Sequence, residues 1–414
     1  MGEKRYVRGA LACMLAGFLV MASACSRGPG VGSDRDSSTG GAPDVAYRGT
    51  LVYLDGEQVF SIDATSGTGR ALYSLEGELG WSGFARLTDD GGLIYESLLD
   101  ETSSVHLASE GSAGATLATG VERVHDYNGT VLLVTADNDT HALGPGANRE
   151  SPGALGIGIA LSAVLSADGS EFAYASQVPT ATPEADLGEF EQTLSIRSFN
   201  GSGPGTKVAG GWLSIEPLLL DSDALVYASY PFGGTEIADL LLYDRRSEES
   251  TTLATNVRLL DRDPARSIVA IAIASPDETV GDAILIIDVS DPDAVRTISF
   301  ESGTSDSLTA TQLLADGSGL VAAFGHEDGA STLVEFDTRD GSQRTVTELA
   351  DSIVSQVLPH PDRSVAFVVV QSGGPEPVDI TRSIAVCDLS EGTTSTLVTG
   401  SASTLLTLIG ISKE

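Results

Sequence analysis

A short pattern of residues recurs along the chain, and it limits the choice of fold more than any other feature. In each copy an apolar run leads into a turn built on Asp or Gly, and a second apolar run follows. The clearest copy is residues 165–174, LSADGSEFAY. Short apolar runs separated by such turns are typical of paired β-strands. The sequence therefore predicts an all-β protein made of repeated units.

The copies return at a regular interval. The second apolar run of each unit begins at Leu51, Leu93, Val131, Phe172, Leu225, Ile268, Leu320 and Val365. Their mean spacing, about 45 residues, is that of one four-stranded blade of a β-propeller. The pattern therefore predicts a β-propeller of eight four-stranded blades. Seven blades is the alternative, if one degenerate unit is miscounted.

The ends of the repeated region also carry a prediction. The first unit has no convincing leading strand, since only Val45, Ala46 and Tyr47 precede it, whereas the chain ends with a spare apolar run at 405–409. A C-terminal strand that completed the first blade would remove two open sheet edges. We therefore expect the C-terminal strand to close the propeller.

A second signature marks the third strand of the units, which ends in Asp. An Asp at the end of a strand can accept hydrogen bonds from the backbone N–H groups of the turn that follows. We therefore expect these aspartates to form turns and not to catalyse a reaction. They are Asp63, Asp244, Asp288, Asp337 and Asp388.

The N-terminus has the pattern of an export signal. Lys4, Arg5 and Arg8 precede an apolar run at 9–22, which is too short for a comfortable transmembrane span. The run ends in Ala-Ser-Ala-Cys, so it resembles a lipoprotein signal, in which the cysteine is acylated. We predict a signal peptide at 1–24 and a lipid on Cys25; an ordinary secretory signal cut nearby is the alternative.

The segment after this cysteine is rich in Gly, Ser, Pro and Asp. Such a segment cannot bury enough apolar surface to offset the entropy lost on ordering. We therefore predict a disordered tether at 25–46 and a β-propeller at 47–414. In this arrangement the protein is exported, contacts a membrane through its lipid anchor only, and faces the extracytoplasmic side of the cell membrane or outer membrane.

The charge of the chain limits its partners. The 23 Lys and Arg residues against 58 Asp and Glu residues give a formal net charge of −35. Nucleic acids and anionic lipid surfaces would be repelled by such a surface. Cations, basic proteins or simple solubility are compatible with it. We expect a monomeric propeller that does not bind nucleic acid.

The motifs of common catalytic sites are absent from the sequence. It contains no G-x-S-x-G and no H-E-x-x-H, and Cys387 lies in an apolar run typical of a buried small side chain. We therefore predict no catalytic or metal-binding residue, and we expect the scattered histidines to be surface or loop residues. These are His106, His125, His141, His326 and His360.

No cofactor is predicted, but two short runs of oxygen ligands keep calcium as an alternative. They are Asp137-Asn138-Asp139 and Asp261-Arg262-Asp263, and neither continues into an EF-hand loop. Solvated turns are the favoured interpretation of both. The tryptophans, Trp81 and Trp212, precede leading strands, so we expect them to pack in the core, with a sugar-binding platform as the alternative.

Three segments are longer than a blade needs: 148–160, 177–192 and 372–381. Binding residues concentrate on loops that a rigid scaffold holds in place. These loops are therefore the candidates for a functional face, with an insertion that has no function as the other interpretation. The sequence identifies no individual ligand-binding residue.

The clearest copy of the repeat also resembles a known family. Ser166, Asp168, Gly169, Phe172 and Tyr174 match the WD40-like repeat of TolB-type propellers, in which a Ser/Pro-Asp-Gly turn joins the first two strands of each blade. Matches elsewhere are Asp316-Gly317 and Pro361-Asp362, and the resemblance covers about 50–411.

TolB-like proteins are scaffolds in envelope complexes. The resemblance therefore implies a non-catalytic, lipid-anchored module that binds an envelope protein. A propeller that binds a ligand or glycan, or a hydrolase that uses the channel mouth, is the alternative.

Overall fold

The structure is a computed structural model. It describes residues 47–412 except 64–66, 80–83, 89–91, 100–101, 110–111, 128–130, 137–138, 144–152, 167, 169, 180–189, 199–202, 204, 212–213, 231–236, 264–267, 275–279, 289–295, 300–306, 315, 374–379 and 401–404. Every helix or strand within the described ranges is a β-strand. The predicted all-β class is confirmed.

The strands are numbered along the chain, and consecutive strands pair antiparallel to form sheets. The first three are β1 (Thr50–Asp55), β2 (Gln58–Asp63) and β3 (Gly69–Ser74). The next sheet contains β4 (Glu78–Leu79), β5 (Ala85–Leu87), β6 (Leu93–Leu99), β7 (Thr102–Ser109) and β8 (Ser112–Thr119). The third contains β9 (Val121–Tyr127), β10 (Val131–Ala136), β11 (Asp139–Leu143) and β12 (Gly153–Ala154). The fourth contains β13 (Ala160–Leu165), β14 (Glu171–Pro179), β15 (Phe190–Ser198) and β16 (Thr206–Gly211).

A longer sheet follows these four. It contains β17 (Ser214–Leu220), β18 (Ala224–Tyr230), β19 (Ala238–Asp244), β20 (Glu249–Asp263), β21 (Ile268–Ala274), β22 (Val280–Asp288) and β23 (Arg296–Ser299). Two four-stranded sheets come next. The first begins with β24 (Ser307–Leu313) and the second with β28 (Ser352–Pro359). Their other strands are β25 (Gly319–Gly325), β26 (Ser331–Asp337), β27 (Gln343–Leu349), β29 (Val365–Ser372), β30 (Thr381–Asp388) and β31 (Thr394–Thr399). The last strand is β32 (Leu406–Ser412).

The number of blades differs from the prediction. The structure shows six blades, each a separate sheet of four or five strands, and one continuous sheet of seven strands formed by β17 to β23. The prediction of eight four-stranded blades, and its alternative of seven, is therefore wrong. The repeat period counts strand-turn-strand units, but it does not show whether neighbouring units end in separate sheets.

The long strand β20 is the physical reason for this difference. Its first half pairs with β19 and its second half, from Val257, pairs with β21, so a single strand belongs to both neighbours. Asn256 lies between the two halves with a φ of 53°. This left-handed conformation, which Asn adopts more readily than most residues, turns the strand from one partner to the other.

The first sheet combines strands from both ends of the described chain. Its order is β3-β2-β1-β32, and β32 pairs antiparallel with β1, with Asp55 opposite Leu406. The backbone N–H of Gly56 also donates to the Leu405 carbonyl oxygen at 3.2 Å. The edge of β1 is therefore covered by the last strand.

The innermost strands are joined to one another by side chains. Ser162 Oγ donates to the Ile215 carbonyl at 3.0 Å, and Thr311 Oγ1 donates to the Leu260 carbonyl at 3.2 Å. The Leu408 N–H donates to Gln356 Oε1 at 2.9 Å. These bonds connect β13 to β17, β20 to β24 and β28 to β32. They place these strands side by side around a common axis, as the propeller requires.

The core lies between the faces of neighbouring sheets. Val52 and Leu54 of the first sheet pack against Leu93 and Tyr95 of the second in one buried cluster. Other clusters join the remaining sheets in the same way, and Phe172 and Phe367 are fully buried among them. Burying a side chain of this size contributes about 1.5–3 kcal/mol, so contacts between sheets stabilise the ring as a unit.

Candidate functional site

The ring has two different sides, which follow from the direction of the strands. One side, which we call the turn face, carries the turns that follow the innermost strands and the turns that lead to the outermost strands. The other side, which we call the loop face, carries the beginnings of the innermost strands. It also carries the connections between the two middle strands of each four-stranded sheet. The two faces differ in chemistry.

Aspartates on the turn face bind the backbone of their own turns. Asp168 Oδ1 accepts from the Ser170 N–H at 3.0 Å and from Ser166 Oγ at 2.7 Å. Asp388 Oδ1 accepts from the Ser390 and Glu391 N–H groups at 2.7 and 2.8 Å. The prediction that the Asp at the end of the third strand forms a turn is confirmed at this residue and at Asp244.

These hydrogen bonds favour the ionised carboxylate. The N–H and hydroxyl donors of Ser170 and the hydroxyl of Ser166 lower the pKa of Asp168 to about 2. Burial raises the pKa of further aspartates on this face, most strongly at Asp316 and Asp362, but at each of them hydrogen bonds of the same kind outweigh it and the pKa is lowered. They are Asp244, Asp316, Asp340, Asp362 and Asp388.

Arginines on the turn face neutralise part of its charge. Arg245 forms a bidentate pair with Glu171 of the preceding sheet, at 2.7 and 3.0 Å. Arg363 Nη2 donates to Glu335 at 3.0 Å, and Arg344 also pairs with that carboxylate. Two of these ion pairs, Arg245–Glu171 and Arg363–Glu335, join neighbouring sheets.

The loop face carries negative charge with few cations. The described turns at 56–57 and 326–330 on this face contain Asp or Glu and neither Lys nor Arg. In the described part, Glu57, Glu327 and Asp328 are exposed on the same side. Arg258 and Arg382, near this edge, are only partly exposed.

The loop face also holds the exposed large apolar side chains of the described residues. Leu99 is 57 % exposed at the end of β6, Ile353 is 45 % exposed near the start of β28, and Leu405 is 56 % exposed just before β32. Because β28 and β32 are neighbours in the innermost ring, Ile353 and Leu405 lie at the beginnings of two adjacent strands on the loop face.

Two acidic turns are held next to these apolar side chains by hydrogen bonds. Ser331 Oγ accepts from the buried Val354 N–H at 3.2 Å, which holds the turn before β26 against the start of β28. The Gly56 N–H holds the turn after β1 against Leu405. We call the resulting surface the rim patch; it consists of Glu57, Glu327, Asp328, Ile353 and Leu405.

A second cluster has the composition of a hydrolase site. Ser97 Oγ lies 2.8 Å from His106 Nε2, and His106 Nδ1 lies 3.8 Å from Glu76 Oε2. The ring of His106 stacks on Tyr95 with centroids 5.1 Å apart. Burial lowers the pKa of His106, while the nearby Glu76 carboxylate opposes that shift.

The burial of this cluster decides its role. Ser97 is 1 % exposed and His106 is 4 % exposed, between the first and second sheets. A nucleophile must reach its substrate and be held near donors that stabilise an oxyanion, and a hydroxyl this deeply buried does not. The geometry fits a buried hydrogen bond between β6 and β7 within the second sheet, next to Glu76.

One aspartate of each calcium candidate accepts hydrogen bonds from backbone N–H groups. Asp139 Oδ1 accepts from the N–H groups of Thr140, Ile157 and Gly158 at 2.8, 3.2 and 3.0 Å. Asp261 Oδ2 accepts from the Leu313 N–H at 2.6 Å on β24. Among the residues that the structure describes, no three His, Cys, Asp or Glu side chains group as a metal site.

Other sequence-predicted residues have varied outcomes. Cys387 is fully buried, which raises the pKa of its thiol to about 12, so its predicted role as a buried small side chain is confirmed. The prediction of surface or loop histidines is wrong for His106, which is buried within β7, whereas His360 is buried but lies in the turn after β28, as expected of a loop residue. His360 Nε2 lies 2.8 Å from the Arg48 carbonyl, where it ties the N-terminal end of the described chain to the last four-stranded sheet.

Several predicted features lie outside the described residues. These are Cys25 with the signal and tether, Asp137, Asn138, Trp81, Trp212, residues 148–152 of the segment 148–160, and most of the segments 177–192 and 372–381. The signal peptide, tether and lipid anchor stay predictions. No helix in the described part of the chain is long and apolar enough to cross a membrane.

Sequence reasoning did not identify Ile353 and Leu405. Both residues lie in apolar runs that look like core strands, and in a strand whose two faces differ in burial only the register decides which side chain is exposed. Their position at the very beginning of an innermost strand was the one available signal.

The fold has known counterparts, although no model of a known family and no curated protein matches the chain. A prolyl endopeptidase structure matches with a TM-score of 0.53 and 12 % identity, over 78 % of this chain and 50 % of that chain. Prolyl oligopeptidase B from Galerina marginata matches with a TM-score of 0.51 and 12 % identity, over 76 % and 50 %.

An oligogalacturonate lyase in complex with manganese matches with a TM-score of 0.48 and 15 % identity, over 84 % of this chain and 85 % of that one. The chain thus spans half the length of the two peptidase chains. At these identities the two peptidase matches support the β-propeller fold and nothing about activity.

Proposed function

We propose that this protein is a non-catalytic binding and scaffolding module of the cell envelope that docks a protein partner on its loop face. The observation that carries the proposal is the exposure of Ile353 and Leu405 at the beginnings of two adjacent strands on the loop face. Exposed apolar side chains that gather at one place on a rigid scaffold are typical of protein–protein contacts.

The chemistry of the described residues supports binding over catalysis. The carboxylates of the turn face bind backbone groups or arginines, and the Ser97–His106 pair is buried. A hydrolase or glycan-binding propeller stays the second candidate, on the composition of the Ser97, His106 and Glu76 cluster alone. A substrate-sized opening to Ser97 would favour it.

We further propose that the module is held at the membrane by a lipid on Cys25. The supporting features are the apolar run that ends in Ala-Ser-Ala-Cys and the Gly- and Ser-rich segment that follows. A flexible tether of this composition would let a folded body reach partners near a membrane without entering it.

The anchor is tested by the substitution Cys25→Ala in the full chain. We expect the variant to move from the membrane fraction to the soluble fraction, because one protein–protein contact at the rim patch does not replace an acyl chain. Cys387→Ala is the matched control and should stay with the membrane. Unchanged membrane association of Cys25→Ala would refute lipid anchoring.

The docking role is tested by in-cell photo-crosslinking. A photoreactive residue is placed at Ile353 on the loop face and, as a control, at the exposed Arg339 on the turn face. One envelope protein captured from Ile353 and not from Arg339 would support the proposal. Capture of the same protein from both positions, or of none from Ile353, would contradict it.

A further inference from the structure

We infer that the rim patch binds a basic partner segment with apolar side chains, in which Lys or Arg residues alternate with or flank Leu-like anchors. The inference rests on the proposed docking function and names the partner's chemistry. Two independent features of the same surface carry it, one apolar and one electrostatic.

The apolar feature is a pair of side chains on adjacent innermost strands. Ile353 and Leu405 are 45 % and 56 % exposed, while their neighbours Val354 and Leu406 are 0 % and 2 % exposed. The backbone beneath them is fixed, since the Val354 N–H binds Ser331 Oγ and the Leu405 carbonyl accepts from Gly56. A partner that covers the two side chains would therefore meet a backbone that is already held in place by hydrogen bonds.

The electrostatic feature is the sign of the charges around these anchors. Glu57 lies in the turn held against Leu405, and Glu327 and Asp328 lie in the turn that leads to Ser331, on the Ile353 side. All three are exposed. Neither turn contains Lys or Arg, in contrast to the turn face with Arg245, Arg246, Arg339 and Arg363.

The contrast between the faces gives the patch its selectivity. On the turn face a basic partner would compete with arginines that already pair with the carboxylates, for example Arg363 with Glu335 at 3.0 Å. On the rim patch it would meet Glu57, Glu327 and Asp328, none of which forms an ion pair with another described residue. Complementary charge speeds encounter and excludes acidic partners, while apolar anchors hold the complex.

The test uses synthetic peptides and the folded protein. The probe is a peptide of alternating lysine and leucine, and its controls replace every leucine by serine or every lysine by glutamate. Binding is followed by fluorescence anisotropy at physiological ionic strength. We expect the Lys/Leu peptide to bind at least about tenfold tighter than the Lys/Ser peptide, and the Glu/Leu peptide not to bind.

Two pairs of substitutions locate the site. Glu327→Lys with Asp328→Lys changes the charge of the rim patch, and Glu249→Lys with Glu391→Lys makes the same change in net charge on exposed positions of the turn face. We expect the first pair to weaken the Lys/Leu peptide by about tenfold or more and the second to have a small effect. Equal losses from both pairs would overturn the inference, because they would indicate attraction to net charge alone.

The apolar anchors are tested separately. Ile353→Ser with Leu405→Ser should weaken the Lys/Leu peptide by about tenfold and leave the weaker Lys/Ser peptide unchanged. An unchanged affinity for the Lys/Leu peptide would overturn the inference. These peptide results do not depend on the crosslinking from Ile353, so the scaffold proposal can fail there while the chemistry assigned to the patch stands.

Discussion

Single aspartates stabilise turns on the turn face by accepting hydrogen bonds from backbone N–H groups. At 168, 316 and 362 an Asp accepts from the N–H of a serine two residues later, which closes the turn between two strands. The serine hydroxyl adds a second donor to the same oxygen. The Asp-x-Ser spacing is therefore a structural unit in which charge and turn geometry depend on each other.

This unit predicts a pH-dependent effect of Asp168→Ala. Because the folded-state pKa of Asp168 is about 2 and below its ordinary value, its contribution is present above that ordinary value and is lost as the pH falls towards 2. We expect the substitution to lower the melting temperature at pH 7 and to have a clearly smaller effect near pH 2, where the carboxyl is about half protonated.

Thermal unfolding by circular dichroism over that pH range measures this difference. Glu249→Ala, at an exposed position of the same face, is the control and should change little at either pH. An effect of Asp168→Ala that is the same at pH 7 and pH 2 would show that the ionised carboxylate is not what stabilises the turn.

At the residue scale the sequence was informative where a side chain acts on its own backbone. The turn aspartates could be predicted, since an Asp acts on residues two or three positions away. The burial of His106 and His360 could not be predicted, because besides the nearby Ser97 and Asp362 they contact Glu76 and Arg48, which are 30 and 312 residues distant. Only the packing of sheets brings such groups together.

Among the elements, β20 has the least ordinary form. Its residues pair with two different partners, and the left-handed Asn256 at the change of partner is held by a long hydrogen bond from its N–H to Asp239 Oδ1, at 3.4 Å. A branched side chain at this φ would clash with the backbone, whereas Gly adopts it without cost.

We therefore expect Asn256→Val to lower the free energy of unfolding by about 1–2 kcal/mol. Asn256→Gly, which keeps the conformation, should change it by less than about 0.5 kcal/mol. Urea unfolding of the three proteins gives these values. Similar losses for Val and Gly would mean that the Asn side chain, and not the backbone conformation, stabilises the change of partner.

Bulges on the innermost strands were another feature that the sequence did not predict. The pairing of β13, β24 and β28 with their neighbours shifts at Leu161, Thr309 and Ser355 respectively. These residues share no size or polarity. A bulge depends on how an extra residue fits between two strands and the next sheet, so the side-chain type carries no signal for it.

For the whole molecule, closure by β32 is the decisive contact. Leu406 of β32 is 2 % exposed in the cluster that contains Tyr53 and Phe367, whereas the adjacent Leu405 is 56 % exposed. The two leucines differ in burial and not in chemistry, which makes them a matched pair for measuring what closure contributes.

We expect Leu406→Ala to lower the free energy of unfolding by about 2–5 kcal/mol, because it removes buried methyl groups and leaves a cavity. Leu405→Ala should change it by less than about 0.5 kcal/mol. Equilibrium unfolding in urea, monitored by tyrosine fluorescence, provides the comparison. Equal effects at both positions would indicate that β32 does not pack as described.

At this scale the repeat predicted the propeller but not its division into sheets. The spacing of the second strands reports how often the chain turns, and that was enough to predict the fold. The continuity of β17 to β23 depends on the length of one strand, and the rim patch depends on register at two strand beginnings. Neither leaves a periodic trace in the sequence.

The pairing of β32 with β1 also determines when, during synthesis, the first sheet can be completed. A ribosome makes β1 early and β32 last of the described strands, so the open backbone of β1 has no native partner throughout most of synthesis. Until β32 has been made, the uncovered edge of β1 is a template on which another strand or another unfinished chain can pair. A growing chain of this kind would need a chaperone, or fast passage to its destination, until its last strand is made.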